Sequence, residues 1–287
     1  MIISDSLKGY ELLDAGEKMK LENWNGILLA RPDPMALWPK SKPELWEKAD
    51  AHYIRSSSGG GHWQYNKQFK NSWNIAYRDL LFKVSPTNFK HTGLFPEQSA
   101  NWDLIYDRIQ ERQGCRVLNL FAYTGAASMV AARAGAEEVV HLDASKGIND
   151  WAKENMKLSG LEDKTIRFIV DDALKFTARE IRRGRRYDAI IMDPPSYGRG
   201  PDNELFKFED KINPLIENCL QLFSDEPLFF IINTYTTGYS ATVMYNTLRR
   251  NLDRYGLTGP IEADEIGIKI KDSELVLPCG QTTRWLP

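Results

Sequence analysis

The pattern of apolar and polar positions changes near residue 99. From there on, short apolar runs alternate with segments in which apolar residues recur every three or four positions. The runs predict buried strands and the periodic segments predict amphipathic helices. Repeated strand–helix units predict an α/β fold with a doubly wound, mostly parallel sheet of seven strands.

Five strands, five helices and a closing hairpin account for this pattern. The strands are predicted at 116–121, 138–143, 166–171, 187–193 and 228–234. The helices are predicted at 126–134, 146–159, 174–184, 213–224 and 240–255. Ser145 is the expected N-cap of the second helix, and Gly160 follows its end. An antiparallel hairpin of residues 261–270 and 275–285 completes the sheet.

The first 90 residues predict a separate, small β-rich domain, and residues 91–287 the α/β domain. Segments 10–13, 18–23 and 27–30 are short apolar stretches separated by Gly, Asp and Asn, as in strands joined by turns. The serine- and glycine-rich run 56–61 predicts a flexible loop. The region holds most of the tryptophans, at positions 24, 38, 46, 63 and 73. Their burial in a core is favoured over a platform that stacks on nucleic-acid bases.

Composition narrows the class of protein. With 42% hydrophobic and 26% charged residues the chain is typical of globular proteins, and no apolar run reaches the roughly 18 residues of a membrane span. The N-terminal residues lack a secretory-signal pattern. Three scattered cysteines predict neither a disulfide framework nor a metal site, and indicate a reducing, cytoplasmic setting.

A net charge of −2 provides no global attraction for nucleic acid, so RNA binding would need a local basic patch. The arginine-rich end of the 174–184 helix is one candidate. Its members are Arg179, Arg182, Arg183, Arg185 and Arg186. Either these side chains contact phosphates, or they are a solvated helix end with no ligand.

Candidate chemistry lies where the predicted strands end, since ligands of such sheets bind beyond the carboxyl ends of the strands. The first strand runs into Phe121-Ala122-Tyr123-Thr124-Gly125, where small residues let a ligand approach the backbone. The following helix offers free N–H groups to a carboxylate. The loop lacks GxGxxG and the chain has no GxxxxGK[ST], which disfavours a phosphate cradle. Alone, it is equally compatible with an ordinary tight turn.

Acidic residues end the next two strands. Asp143 can accept both ribose hydroxyls of an adenosine, and Asp171 or Asp172 the exocyclic amine of adenine. Each is also in position to cap the helix that follows. Asn155 falls on the apolar face of its helix, where a buried amide holds the Asp143 loop, a cofactor or a purely structural partner.

The fourth strand ends in Asp193-Pro194-Pro195-Ser196-Tyr197-Gly198. Two prolines fix the backbone and remove two N–H donors. Since a plain strand end needs only one proline, the pair favours a functional role. The Asp193 carboxylate and the exposed carbonyls can orient an acceptor group. We therefore predict Asp193, Pro194 and Pro195 as the catalytic segment.

In order along the chain, VLNLFAYTGAAS, HLDAS, FIVDDAL and IIMDPPSYGRG resemble the successive motifs of class I S-adenosylmethionine-dependent methyltransferases, which have a Rossmann-like fold. They look most similar to the 23S ribosomal RNA methyltransferase-like group, and His91–Gln98 is similar to that group's element before its first helix. The resemblance implies S-adenosylmethionine as cofactor, ribosomal RNA as partner and a cytoplasmic enzyme. It implies no particular oligomeric state. The implied cofactor-binding residues are Phe95, Gln98, Asn119, Phe121, Ala122, Tyr123, Thr124, Gly125, Asp143, Ala144, Ser145, Asn155, Asp171, Asp172, Ala173 and Asp193.

One departure concerns the acceptor atom. Group members that methylate carbon 5 of cytosine need a nucleophilic cysteine just past the fourth or fifth strand. Here those positions, 193–196 and 233–237, contain none, and Cys279 is better explained as a buried thiol. Methyl transfer to a nitrogen or oxygen lone pair is therefore predicted.

Three alternatives stay open at this point. The same site can methylate a protein or a small molecule instead of RNA. A nicotinamide-dependent oxidoreductase is the candidate from another reaction class, although the missing GxGxxG and the Asp-Pro-Pro segment disfavour it. A protein that binds RNA without transferring a methyl group is the third.

Overall fold

The computed structural model of the protein describes residues 1–56, 60–87 and 90–287. They form two compact units. Unit 1 comprises residues 1–100 and 266–279, and unit 2 comprises residues 101–265 and 280–287. Part of the predicted closing hairpin thus belongs with the N-terminal region, which the linear pattern does not indicate. Residues 57–59 of the predicted flexible loop lie outside the described residues.

Strands dominate the first 100 residues. They are β1 (Ile2–Ser4), β2 (Tyr10–Gly16), β3 (Met19–Trp24), β4 (Ile27–Pro32), β5 (Ala51–Arg55), β6 (Gly61–Tyr65), β7 (Trp73–Tyr77) and β8 (Leu80–Val84). Strands β2 to β6 form a five-stranded sheet in chain order, and β7 pairs with β8. The short helix α1 (Pro43–Trp46) lies between β4 and β5, and a 3-10 turn covers Pro96–Gln98. The predicted β-rich region is confirmed.

The tryptophans of this region pack against other side chains, as predicted. Trp24 is fully buried, and its ring centroid lies 4.7 Å from that of Tyr10. Trp46 is buried as well, and Trp38, Trp63 and Trp73 are half-buried. None of these five tryptophans is exposed.

Helices and strands alternate through unit 2, whose first helix begins at the end of unit 1. The elements are α2 (Ser99–Glu111), β9 (Arg116–Leu120), α3 (Ala126–Ala134), β10 (Glu138–Asp143), α4 (Lys146–Leu158), β11 (Ile166–Val170), α5 (Ala173–Arg182), β12 (Ala189–Met192), β13 (Tyr197–Arg199), β14 (Leu205–Lys207), α6 (Phe208–Gln221), β15 (Phe229–Thr234), α7 (Ala241–Arg254), β16 (Ile261–Lys269) and β17 (Val276–Trp285).

The sheet of unit 2 has the order β11-β10-β9-β12-β15-β17. Strands β9, β10, β11, β12 and β15 are parallel, and β17 is antiparallel to β15. Successive strands are added on one side of β9 up to β11 and then on the other side from β12 onwards. The doubly wound, mostly parallel sheet is confirmed. Beyond the seven predicted strands, β1 pairs in parallel with residues 266–268 of β16, within unit 1.

Helix boundaries follow the predicted capping signals. The Ser145 side chain accepts a hydrogen bond from the Ile148 N–H at the start of α4, and the left-handed Gly160 follows the end of that helix. Helix α6 begins at Phe208 rather than at 213, so Pro214 lies inside it. The prediction was wrong here because proline favours the first turn of a helix, whereas this helix accepts it after almost two turns.

The short hairpin of β13 and β14 was not predicted. Each strand has three residues, and only Phe206 among them is buried, so no alternation of apolar positions marks it. By contrast, every residue of β12 and β15 is buried, as expected for central strands covered on both faces.

Candidate functional site

The carboxyl ends of five parallel strands lie side by side at one edge of the sheet in unit 2. Leu120 at the end of β9 is in register with Leu142 of β10 and with Met192 of β12. Asp143 of β10 is in register with Val170 of β11. The segments that follow these strands therefore emerge next to one another, and they contain the predicted acids and the Asp-Pro-Pro turn.

The loop after β9 has an unusual backbone. Phe121 and Tyr123 have φ angles of 55° and 50°, and Gly125 has a φ of 90°. Positive φ is uncommon for residues other than glycine, and such residues cluster at functional sites. A Cβ at Gly125 would lie 3.0 Å from the Met129 Cε and 3.2 Å from the Ala152 Cβ, so only glycine fits without displacement.

Asp143 connects the ends of β9 and β10. Its Oδ2 accepts a hydrogen bond from the Tyr123 N–H at 3.0 Å, and its Oδ1 accepts one from the Ser145 N–H at 2.9 Å. Burial raises the pKa of this carboxyl above its ordinary value. Asp143 does not cap α4, since Ser145 does. Each oxygen keeps a second acceptor position for a hydroxyl group.

Two amides of α4 hold the neighbouring loops. Asn155 is fully buried, and its Nδ2 donates to the Thr124 carbonyl at 2.9 Å, which fixes the first loop rather than the Asp143 loop. Asn149 donates its Nδ2 to the Asp143 carbonyl at 3.0 Å. Asn149 was missed by the sequence interpretation, although a buried amide four residues after the N-cap Ser145 was a usable signal.

A chain of buried polar side chains lies beneath the first loop. The Asn119 Nδ2 donates to the Ser128 Oγ at 2.9 Å, and that hydroxyl lies 3.0 Å from the His141 Nδ1. Burial lowers the pKa of His141 to about 3, so its imidazole is neutral at physiological pH. Asn119, predicted as a cofactor ligand, is engaged in this chain. Ser128 and His141 were not singled out, although each has apolar neighbours on both sides in the sequence.

The acids after β11 have local partners. The Asp172 Oδ1 accepts a hydrogen bond from the Lys175 N–H at 2.9 Å and caps α5, so the capping alternative is correct for this residue. The Asp171 Oδ1 accepts from the Asp172 N–H at 2.8 Å, and its carboxylate forms an ion pair with Arg179. Capping uses one oxygen of Asp172 and is compatible with a ligand at the other.

The Asp-Pro-Pro turn after β12 is tied to the strands on both sides. The Asp193 N–H donates to the Leu120 carbonyl at 3.4 Å. Pro194 is buried, whereas Pro195 and Ser196 are exposed. The hydroxyls of Ser196 and Thr236, which follows β15, lie 2.9 Å apart. The turn therefore has a fixed inner side and an open outer side.

Two predicted pocket residues belong to unit 1. Gln98 is buried in the 3-10 turn, and its N–H donates to the Phe95 carbonyl at 3.1 Å. Phe95 is half-buried, with its ring centroid 5.4 Å from that of His91. Their place in a cofactor pocket stays a prediction.

The arginines near the end of α5 are largely neutralised by unit 2 itself. Three of them form ion pairs, namely Arg179 with Asp171, Arg183 with Glu180, and Arg185 with Glu138. Arg182 and Arg186 are exposed. This arrangement favours the structural alternative over a phosphate-binding patch.

Neither a metal centre nor a membrane span is found in the described parts of the chain. Within residues 1–56, 60–87 and 90–287, no three His, Cys, Asp or Glu side chains are grouped so as to hold a metal ion. No helix in these same ranges has the length and apolar character required to cross a bilayer.

Comparison with known proteins identifies the relatives of the chain. A model of the S-adenosylmethionine-dependent methyltransferase family matches residues 49–215. Ribosomal RNA large subunit methyltransferase K of Neisseria meningitidis serogroup B is 25% identical over 227 residues, covering 76% of this chain and 63% of that protein. Ribosomal RNA large subunit methyltransferase K/L of Shewanella baltica is 39% identical over 116 residues, covering 40% of this chain and 16% of that protein.

The chain thus spans less than two thirds of the length of both relatives. Among solved structures, an S-adenosylmethionine-dependent methyltransferase from Agrobacterium tumefaciens is 34% identical. It superposes with a TM-score of 0.94 over 100% of this chain and 93% of its own. This likeness confirms the predicted Rossmann-like fold with its β-rich N-terminal region.

Proposed function

Since this chain belongs to the S-adenosylmethionine-dependent methyltransferase family, we propose that it methylates RNA, with ribosomal RNA as the favoured acceptor, at a nitrogen or oxygen atom. The observation that carries the proposal is the meeting of Asp143, Asp172 and the Asp193-Pro194-Pro195 turn at one edge of the sheet. Family membership disfavours the nicotinamide-dependent oxidoreductase considered from the sequence.

The adenosine half of the cofactor fits the two acids. Asp143 is oriented by two backbone N–H groups and keeps acceptor positions for a pair of ribose hydroxyls. Asp172 uses one oxygen for its helix cap and has the other for an exocyclic amine. Ala144, Ser145 and Ala173 flank these acids, and their small side chains leave room for the nucleoside.

The amino-acid half fits the loop after β9. Gly125 precedes α3, whose first N–H groups have no acceptor within the helix and can bind a carboxylate. The left-handed Phe121 and Tyr123 bend the backbone of this loop, and the buried Asn155 holds it from below. S-adenosylmethionine supplies an electrophilic methyl group on a sulfonium sulfur.

The acceptor side rests on the Asp-Pro-Pro turn. Proline fixes its own backbone angle φ and restricts the residue before it to extended conformations, so few conformations of this turn are accessible. We assign to Asp193 the positioning of the acceptor group and, where the acceptor carries a proton, its removal. Fixed in-line placement of the reactants contributes most of the acceleration of such transfers.

The cysteines support a nitrogen or oxygen acceptor. Cys115 and Cys219 are buried in unit 2, and burial raises the pKa of Cys115 to about 11. Cys279, predicted as a buried thiol, is half-buried in unit 1, and the loss of solvent around its sulfur also raises its pKa. A thiol held protonated is a poor nucleophile. Cytosine carbon-5 chemistry needs the opposite, a thiolate at the acceptor.

RNA is favoured over other acceptors because the two relatives above carry ribosomal RNA methyltransferase in their names. The same acceptor agrees with the cytoplasmic setting expected from three free cysteines. A protein or small-molecule acceptor, or RNA binding without transfer, remains the competing outcome of the test.

In the test, the purified protein is incubated with S-adenosylmethionine that carries a labelled methyl group. RNA, protein and metabolite fractions are offered as acceptors in parallel reactions. We expect label in RNA and a methylated nitrogen or oxygen after nucleoside analysis. Asp193→Asn should lower kcat by roughly 100-fold or more. The matched control is Asp225→Asn, an exposed acid in the segment before β15. Label confined to protein or metabolites, or 5-methylcytidine as product, contradicts the proposal.

A further inference from the structure

The β13–β14 hairpin, which follows the Asp-Pro-Pro turn, has two different faces. Directly opposed residues of an antiparallel pair share a face, and neighbours along a strand alternate. Gly198 opposes Phe206 on one face. The other face carries two further pairs, Tyr197 with Lys207 and Arg199 with Leu205. We call this second face the outer face.

The inner face packs against the proposed active site. Phe206 is 4% exposed, and its ring centroid lies 5.2 Å from that of Phe121 in the loop after β9. A Cβ at Gly198 would lie 3.2 Å from the Pro195 Cγ, so the hairpin approaches the Asp-Pro-Pro turn closely. The hairpin therefore packs on both the loop after β9 and the Asp-Pro-Pro turn.

Both ends of the hairpin are also fixed. At its base the Phe208 N–H donates to the Ser196 carbonyl at 3.1 Å. At its tip Lys175, from the first turn of α5, forms ion pairs with Glu204 and, at 3.6 Å, with Asp202. These contacts make the hairpin a supported surface and pair the two acids of its tip with a cation.

The outer face itself is open. Tyr197 is 57% exposed and Leu205 is 39% exposed. Arg199 and Lys207 are exposed as well. Within the described ranges, neither cation has an ion-pair partner and the Tyr197 ring has no ring or hydrogen-bond partner. The face thus offers an aromatic ring and two positive charges without a carboxylate.

We propose that the outer face, Tyr197, Arg199, Leu205 and Lys207, binds the single-stranded RNA segment next to the acceptor nucleotide. The inference rests on the proposed function, which makes RNA the substrate. An aromatic ring stacks on any base, and flanking cations contact phosphates, so this combination suits single-stranded nucleic acid. Tyr197 follows Pro195 by two positions, so RNA bound on this face lies next to the Asp-Pro-Pro turn.

Charge favours RNA over a protein segment as the occupant. Two cations without an ion-pair partner complement a polyanion, and each phosphate contact by such a cation adds affinity for nucleic acid. The arginines near the end of α5 are largely paired within unit 2. Arg199 and Lys207 are therefore the better candidates for phosphate contact beside the acceptor turn.

The test measures binding of a short, fluorescein-labelled single-stranded RNA of mixed sequence by anisotropy, without methyl transfer. Tyr197→Leu should weaken binding by about 5- to 150-fold, the range expected for loss of one stacked base. Tyr197→Phe should restore it. Arg199→Gln and Lys207→Gln should each lower the slope of log affinity against log salt by about 0.7. Cofactor affinity should not change in any variant.

The controls are Tyr255→Leu and Arg250→Gln, which change exposed residues on or just after α7. This helix runs away from the carboxyl ends of the parallel strands. Wild-type protein that fails to bind the RNA, or a Tyr197→Leu variant that binds it as tightly, overturns the inference. The second result leaves the proposed function standing if RNA is methylated. Tyr197-dependent binding without RNA methylation supports the inference and contradicts the proposed function.

Discussion

The carboxylate of Asp143 accepts a hydrogen bond from the backbone N–H of Tyr123, 20 positions earlier in the chain. The donor belongs to a residue whose φ is 50°, and the acceptor lies at the end of the adjacent strand. The bond joins the loop after β9 to the loop after β10. It therefore aligns the two parts of the proposed cofactor site with each other before any ligand binds.

Ionisation of Asp143 should control cofactor affinity. Burial raises its pKa, so protonation on acidification begins at a higher pH than for an ordinary aspartate and removes an acceptor of the ribose hydroxyls. We expect the affinity for S-adenosylhomocysteine, measured by calorimetry, to fall as the pH drops through that raised pKa. Asp143→Asn should bind about 10- to 100-fold more weakly at neutral pH, with a flatter pH profile. Asp150→Asn, on the exposed side of α4, is the control; equal affinities of wild type and Asp143→Asn would refute the assignment.

Gly125 should not tolerate a side chain. Its φ of 90° strains any other residue, and a Cβ would lie 3.0 Å from the Met129 Cε. Gly125→Ala should lower the free energy of unfolding by about 1–3 kcal/mol and weaken cofactor binding. Gly147→Ala is the matched control, because that glycine lies in α4 with open space around it. It should be neutral or stabilising by about 0.5–1 kcal/mol in urea unfolding. Equal unfolding free energies for both variants would contradict this account of the loop.

A buried ion pair should dominate the stability of unit 1. The Glu22 carboxylate accepts hydrogen bonds from the Arg31 Nε and Nη2, both at 2.6 Å, and from the Tyr10 hydroxyl at 2.9 Å. Removing the charge of Glu22 leaves the Arg31 guanidinium buried without that carboxylate as its counter-charge. Glu22→Gln should therefore lower the free energy of unfolding by about 3–5 kcal/mol. Glu17→Gln, which affects an exposed pair with Lys40, should change it by less than about 1 kcal/mol.

The same pair predicts the response of stability to acid. Arg31 and Lys20 lower the pKa of Glu22 to about 2, from an ordinary value of 4.5 that applies to the unfolded chain. The stabilisation that ionised Glu22 gives the folded protein is complete above pH 4.5 and is lost as the pH falls from 4.5 towards 2. Urea titrations across this range should show a steep loss for the wild type and a shallower one for Glu22→Gln. Parallel curves for the two proteins would exclude Glu22 as the group responsible.

Thiol chemistry should be dispensable. Burial raises the pKa of all three cysteines, so native protein should react slowly with iodoacetamide and denatured protein quickly. Cys279→Ala should keep methyl transfer within about 2-fold of wild type, since no step of the proposed reaction uses a thiolate. A loss of transfer in this variant, with unchanged unfolding and cofactor affinity, would instead indicate a covalent cysteine mechanism.

Local patterns were sufficient for most elements of the fold. Ser145 and Asp172 precede helices and cap them, because capping depends on a side chain and a backbone N–H a few positions away. The exception is the start of α6. The helix begins at Phe208, whereas Pro214 had indicated a start close to position 213 because proline favours the first turn of a helix. The β13–β14 hairpin was not predicted, because strands of three residues are too short to show an alternation of apolar and polar positions.

The site was only partly accessible from the sequence. Asp143 and the loop at 121–125 were identified as strand ends, but Asn149, Ser128 and His141 were not. Their importance comes from partners on other elements, and neither spacing nor composition records which buried polar groups meet. The motifs also gave no sign that the arginines near the end of α5 are paired or that the hairpin leaves Tyr197 and two cations open.

The order of strands and helices, the caps and the polar residues at the strand ends were determined by the sequence itself, because each is a property of a few neighbouring positions. The tertiary structure decided which of those polar residues face one another. The bond from Tyr123 to Asp143 depends on the parallel register of β9 and β10. Helix α3 packs against both strands, and such long-range packing is visible only once the chain has folded.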